Sequence, residues 1–546
     1  MLSFLDQFNS ARKCGVPLTG VETNDPAATM RSIAINCAAI KVNGKEISPP
    51  VLTWDCVGGF GAVAGTPSYE NSIKLAEKIN ADMGGTAAAS QPISMLEMIA
   101  NEGQDGTPAT LPAWTIIGML NACDFFDKPE VRQGIWNLRD KFKRNGRMLV
   151  LLGIIVNLPQ NLKSGDVVVM EDELPSDEEL AAIVRRLDNQ ASRCCSGEEC
   201  KKCSGTGIKI ARPLSSEEAV ERVVEAVKGL SAFGAEQVIA MALRAKTVED
   251  QKIRCGFDLD HCWTAKRKQI EQIKGLSVFR DMDNGGFGAI GGLDEIKSYL
   301  TKVMNGKRKP KLIVWLDEIE KSGLDSQRSG GDDTSTDQEG ELLKFMEDEK
   351  VFGIMLVGVP GCGKSQICKA MSPEFDRVVV RLDLGGLKEK WVGSSQDNLR
   401  VALKMIRAVG GKDTLWIATS NSINGLSDAM KSRFTDVFFF DMPTKEERLP
   451  IWNVWLKKMG LNDVPYENDE GWVARDIVHA CDKADRLGET IAEAGTRINC
   501  EGVKSRETVA LLRAGADKRY SSTTKRGLYE MPAPKRPVEA ERAMAD

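Results

Sequence analysis

Hydrophobic and polar positions divide the chain into strand-like apolar runs and one-sided helices. Near the front, VLTWDCV (51–57), WTIIGML (114–120), RMLVLLGIIV (147–156) and VVVME (167–171) read as strands, and PEVRQGIWNLRDKFKRNG (129–146) carries the apolar spacing of an amphipathic helix. Near-continuous apolar runs predict strands covered on both faces, the pattern of an α/β sheet. Residues 181–275 are mostly charged and helical; SSEEAVERVVEAVKGL (215–230) opens on a serine cap followed by acids. From 276 the α/β pattern returns in KLIVWLDEIEK (311–321), VFGIMLV (351–357), RVVVRLDLGGL (377–387) and TLWIATSN (414–421). After Pro443 a helical region extends to about 520. SQRSGGDDTSTDQEG (326–340) predicts a polar loop, and 521–546, rich in proline and charge, a flexible tail or attachment arm. The expected sections are 1–180, 181–275, 276–443, 444–520 and 521–546.

Composition narrows this picture only slightly. A chain of 546 residues is too long for one core, and 42% hydrophobic with 28% charged residues is ordinary for a globular protein. The net charge of −5 provides no global attraction for nucleic acid, leaving short basic runs such as KRNGR (143–147) and KRKPK (307–311) as local candidates. Apolar runs fall short of the roughly 18 residues that a spanning helix needs, and the start MLSFLDQFNSARK lacks the basic-then-apolar order of a secretory signal. Neither suggests a membrane. Most of the 14 cysteines are scattered singly through apolar segments, which points to a reducing, cytoplasmic compartment.

The sharpest chemistry is GVPGCGKS: Gly358, Val359, Pro360, Gly361, Cys362, Gly363, Lys364 and Ser365, with Gln366 beginning the next helix. It sits between an apolar strand and the helical QICKAM. That context lets backbone N–H groups wrap phosphates at a helix N-terminus, with Lys364 on the β- and γ-phosphates and Ser365 on Mg²⁺. ATP and Mg²⁺ are therefore the expected cofactors. Ahead of it, KLIVWLDEIEK ends an apolar run on Asp317-Glu318, the way an ATPase strand presents a metal-side acid and a base. Elsewhere, RCCSGEECKKCSGTG (193–207) gathers Cys194, Cys195, Cys200 and Cys203, a candidate structural zinc set or a reduced loop. With only two histidines, His261 and His479, a His-based hydrolase is disfavoured.

Past the phosphate loop the chain resembles the AAA+ ATPases, specifically the AAA clade. KWVGSSQDNLR matches the family's pore-loop motif at Lys390, Trp391, Val392 and Gly393, followed by Asn398-Leu399-Arg400. TLWIATSN resembles the sensor 1 strand, whose Asn421 would orient the attacking water. In MKSRFTDVFFFDMP, Arg433 matches the arginine that reaches a neighbouring subunit's nucleotide, while Met430 stands where many members have a second arginine. DKADRLGETIAEAG resembles the lid helix around Gly488 and Glu489. The family places its acidic Walker B strand between the Asn-Leu-Arg helix and sensor 1, an interval that here holds one strand only. KLIVWLDEIEK with GELLKFMEDEK (340–350) fits the missing piece, transposed ahead of the Walker A loop, with Asp317 on the Mg²⁺ side and Glu318 polarising water. The implied fold is an α/β P-loop NTPase core with rearranged strand connectivity and a helical lid. The front section resembles the degenerate AAA+ domain of certain chloroplast and cyanobacterial AAA+ ATPases, without a phosphate loop. The resemblance implies an ATP-hydrolysing homo-oligomeric, hexameric ring that works a polymer, most naturally a protein, through its pore. An ATP-switched nucleic-acid clamp and an ATP-bound assembly scaffold are the alternatives.

Overall fold

The computed structural model describes residues 3–532 apart from 38–39, 43–44, 103–110, 160–161, 163–164, 192–216, 248–252, 281–284, 323–332, 388–393 and 424–426. It comprises two compact units, Met1–Lys266 and Arg267–Asp546.

The first unit is a sheet of six strands: β1 (Leu18–Glu22), β2 (Val51–Asp55), β3 (Gly59–Ala62), β4 (Ile116–Met119), β5 (Met148–Gly153) and β6 (Val168–Glu171). Their order is β3-β2-β4-β5-β1-β6, parallel except for the β2–β3 hairpin. Sequence reading finds β2, β4, β5 and β6 but passes over β1. LTGVE is short and half polar, yet it pairs on both sides, with β5 and β6, and Leu18, Thr19 and Val21 are fully buried. Helix α1 (Pro26–Asn36) follows β1, and α2 (Pro129–Asn145) inserts Val131, Ile135, Leu138 and Phe142 into the core. Helices 177–191, 217–227 and 232–242 share a separate apolar cluster through Leu180, Val184, Val223 and Ile239.

The second unit is built on a sheet of seven strands, β7 (Leu276–Phe279), β8 (Leu312–Leu316), β9 (Phe352–Gly358), β10 (Val378–Leu382), β11 (Thr414–Ser420), β12 (Asp436–Phe440) and β13 (Ser521–Ser522). The order is β7-β10-β8-β11-β9-β12-β13, with only the β7–β10 pair antiparallel. The strand bearing Asp317 and Glu318 at its end thus lies between β10 and β11, and β11 separates it from β9. Every residue of β8 and β11 is buried, which explains their unbroken apolar runs. One face carries α3 (Asp294–Met304) and α5 (Lys364–Phe375), where Leu300, Met304, Ile367 and Met371 pack on Ile313, Ile354 and Ile417. On the other, α4 (Asp333–Asp348) and α6 (Ser394–Gly410) are tied by Arg400–Glu341, and Phe345 lies 5.9 Å from Trp416 of β11. Helices α7 (Lys445–Met459) and α8 (Ala474–Leu487) have a smaller core of their own around Trp452, Trp472 and Ile477, crossed by the buried Arg448–Asp469 pair at 2.9 Å.

Two expectations are corrected. Of the polar stretch 326–340, the part from Asp333 onward is helical and continues into the buried Gln338 and Leu342 of α4, while 326–332 lie outside the described residues. Residues 521–532 are not a free tail. Helix α9 (Arg506–Ala516) packs Val509, Leu512 and Ala516 into the main core and returns the chain to the sheet edge, where β13 pairs with β12. Tyr529 is then held by its ring against Phe439, centroids 4.6 Å apart, and by its hydroxyl on Asp441 Oδ2 at 2.6 Å.

Candidate active site

The phosphate loop leaves the C-terminal end of β9 and enters α5 at Lys364. Gly358 is obligatory: at φ +152°, a Cβ would sit 2.1 Å from the Phe440 carbonyl oxygen of the neighbouring strand. Gly361, at φ +82°, faces Val473 and Arg475, against which a Cβ would lie 2.9 and 3.0 Å away. The loop is thereby clamped between the end of β12 and the first turn of α8, whose Arg475 N–H donates to Gly361 O at 3.2 Å.

Lys364 is 6% exposed, and its ammonium donates to the loop's own carbonyls, Gly358 O at 2.8 Å and Val359 O at 2.9 Å. Burial is the first cause that pulls it down to about 8, against partial relief from neighbouring acids. Above that value and below the ordinary lysine range the unfolded chain holds more protons. The cost of burying Lys364 is therefore fully present below about pH 8 and declines as pH rises through this window. Phosphate recognition requires the charged form. ATP binding near pH 8 is accordingly expected to take up protons, read by calorimetry in two buffers of different ionisation enthalpy. Binding without proton uptake between pH 7.5 and 8.5, within about one unit of that value, would contradict the buried-ammonium assignment.

Two strand ends converge beside the loop. Asp317 follows β8; its Oδ1 accepts from Thr419 Oγ1 at 3.0 Å and from Ser365 Oγ at 3.3 Å, and its Oδ2 meets Arg381 Nη2 at 3.0 Å. Glu318 stands next in the left-handed backbone region, φ +47°, its N–H donating to Thr419 Oγ1 at 3.1 Å. Such conformations concentrate where a side chain must be aimed. Asn421, just past β11, donates through Nδ2 to Glu318 Oε1 at 3.3 Å and to Glu320 Oε1 at 3.0 Å, and its backbone N–H also reaches Glu320 Oε1 at 3.0 Å. The sequence-read Lys364, Ser365, Asp317, Glu318 and Asn421 therefore come together. Thr419 and Glu320 were passed over. An Asp-Glu-x-Glu run and a Thr two residues before the sensor Asn were visible, but nothing in their spacing marks them.

Of these groups, Glu318, Lys364, Ser365, Thr419 and Asn421 line one side of a cavity of about 1230 Å³. The opposite walls come from Ile290–Leu293, from Trp455 and Arg475 of the helical lid, and from Ser522–Pro532. Arg475 is a further residue missed by sequence reading, which placed the lid's contribution at Gly488 and Glu489. Gly488 merely caps the far end of α8, at φ +66°. Arg433 does not line this cavity; its Nη2 pairs with Glu347 at 2.7 Å. Lys390, Trp391, Val392 and Gly393, and also Cys194, Cys195, Cys200 and Cys203, lie outside the described residues. Among the described residues, no group of three or more His, Cys, Asp or Glu could hold a metal ion.

The donor set fits a magnesium nucleotide. A glycine-lined loop feeds a helix N-terminus, a buried ammonium lies on it, and one hydroxyl sits beside one carboxylate. Mg²⁺ keeps several waters and asks for few protein ligands. When bound, it neutralises phosphate charge; Ser365 and Asp317 are the residues that would hold it. The site and sheet define a P-loop nucleoside-triphosphatase (NTPase) fold.

Comparison with known proteins places it more finely. Residues 354–414 match the model of the ATPase family associated with various cellular activities (AAA), and residues 4–171 match the SpoVK-like AAA ATPase N-terminal domain. Both matches are to AAA ATPases, and each covers part of the chain. It is 21% identical over 376 residues to an uncharacterized AAA domain-containing protein, ycf46, of Guillardia theta, covering 61% of this chain and 62% of that protein. The corresponding protein of Trieres chinensis is 21% identical over 465 residues, 78% of this chain and 76% of that one. A proteasome-activating nucleotidase of Saccharolobus islandicus is 21% identical over 252 residues, 35% of this chain and 64% of the relative. The chain thus spans less than two thirds of the Guillardia protein.

Proposed function

We propose that the protein is a ring-forming motor in which each ATP site is completed by a neighbouring subunit, and that the ring draws a polypeptide through its centre. Arg433 carries this reading. It follows β11 on the turn into β12, stays clear of its own chain's cavity, and is retained by one carboxylate, Glu347, that is itself 66% exposed. An arginine so placed is available to a nucleotide held elsewhere. The likeness to a proteasome-activating nucleotidase supports a protein substrate, with Trp391 as the gripping residue. In the same reading the catalytic core is a transposed one, Walker B strand and its helix preceding Walker A. The strand order supports it: β8 keeps the place between β10 and β11 that brings Asp317 and Glu318 to the phosphate loop. We further infer that the first unit binds no nucleotide. Where β1 enters α1 the helix N-terminus is already capped by Asp25 Oδ1, which accepts from Ala28 N–H at 2.9 Å. Asp172, pushed up by burial, accepts from Thr29 beside it. Carboxylates occupy the place where phosphates would need positive charge.

Mixing experiments test the shared site. Arg433→Ala and Lys364→Ala are each expected to be inactive alone. Mixed, they are expected to recover ATPase activity, because a Lys364→Ala subunit still offers Arg433 to a neighbour with an intact loop. No recovery, in mixtures shown by mass photometry to co-assemble, defeats the shared-site ring. Stimulation by duplex DNA with steep salt dependence, rather than by unfolded protein, would assign the polymer to nucleic acid.

A further inference from the structure

Sheet register places an unusual cation against the site. Trp315 of β8 is the direct partner of Arg381 on β10, and Asp317 follows two residues later on the same face. The Arg381 guanidinium lies 5.6 Å from the Trp315 ring centre and 3.0 Å, through Nη2, from Asp317 Oδ2. Asp317 is only 12% exposed, so this ion pair is poorly screened, while Arg381 is one-third exposed and its Nε bonds to nothing. The two carboxylate oxygens face different ways: Oδ1 toward Ser365 and Thr419, Oδ2 toward β10.

We propose that Arg381 is a displaceable counter-ion of Asp317, exchanged for the divalent cation that accompanies the nucleotide. This rests on Asp317 being the metal-side acid. With no cation at Ser365 and Asp317, Arg381 neutralises a carboxylate that would otherwise be buried unpaired. A divalent cation held by Ser365 and Asp317 would supply the positive charge that Arg381 otherwise supplies to this carboxylate. Arg381, free at Nε and partly open to solvent, swings off Asp317. Lys369 Nζ, 5.8 Å from the Trp315 ring centre, keeps the ring cation-bound when Arg381 departs.

The test titrates Mg²⁺ into the full chain holding a fluorescent, non-hydrolysable ATP analogue, and reads binding rather than turnover. Arg381→Gln is expected to lower the half-saturating Mg²⁺ about ten-fold, equivalent to roughly 1.4 kcal/mol, while binding in EDTA stays within about two-fold of wild type. Arg381→Lys, which keeps the charge, is expected to remain near wild type and guards against a folding artefact in the glutamine variant. Mg²⁺ is also expected to change tryptophan emission in the wild type, a change lost both in Arg381→Gln and in Trp315→Phe. An unchanged or raised Mg²⁺ requirement in Arg381→Gln, or an emission change that survives that substitution, overturns the exchange. Should Asp317→Asn leave the Mg²⁺ dependence untouched, it is the assignment of Asp317 that fails, and the proposal with it.

Discussion

Glu318→Gln is expected to bind ATP about as well as the wild type and to hydrolyse it roughly 10²–10⁴-fold more slowly, the usual contribution of a positioned base. The substitution keeps the shape and removes the charge. Asn421 Nδ2 still finds an oxygen, the Glu318 N–H still finds Thr419, and the left-handed backbone that aims the side chain is untouched. A single-turnover assay with tight-bound ATP separates the two effects. The neighbouring acid provides the decisive control. Glu320 also bonds Asn421, and its Oε2 is buried without a partner, so it is a nearby carboxylate that could take over the role. If Glu318→Gln turns over normally while Glu320→Gln is dead, the base has been misassigned by two residues. Normal turnover in both would remove the β8 strand end from the chemistry altogether.

Lys364→Ala is expected to weaken ATP binding at least about 100-fold, since the charge-assisted contacts to phosphate have no substitute within the loop. Its effect on the nucleotide-free protein runs differently. The buried ammonium is costly, as its depressed value of about 8 records, so removing it relieves desolvation while leaving the Gly358 and Val359 carbonyls without that donor. The two effects oppose each other, and the melting temperature without ATP is expected to change by only a few degrees. Saturating ATP at about 100 times Kd would stabilise the wild type by roughly 2.7 kcal/mol and raise its melting temperature; the variant should show no such rise. A variant that unfolds without ATP would show Lys364 to be a structural cation, and one that keeps the ATP-induced shift would move the phosphates off this loop.

Much of this site was legible before the fold was known, for a physical reason. Buried central strands need unbroken apolar runs, and a phosphate loop needs glycines at particular backbone angles, so LIVWL, FGIMLV and GVPGCGKS announce themselves. Strand β1 was not legible. Its Thr19 and Gly20 are satisfied by neighbours far along the chain, Val156 and Val169 closing over Gly20 and the Leu149 carbonyl accepting from Thr19. Nothing in the spacing of RVVVRLDLGGL singles out Arg381; only its register opposite Trp315 gives it Asp317 as a partner. Arg475 and the 521–532 wall were hidden in the same way. Each reaches the cavity through packing between segments distant in sequence, which no local spacing encodes.

The wall formed by residues 522–532 has a consequence for how the protein is made. The phosphate loop emerges from the ribosome well before Thr523 and Tyr529, whose contacts with Phe439 and Asp441 seat the last side of the cavity. A nascent chain therefore displays Lys364 and Ser365 while its ATP chamber still lacks one side. A partly made chain has the loop but not the full enclosure, and the chamber gains this wall only once residues 522–532 have been made and have folded back.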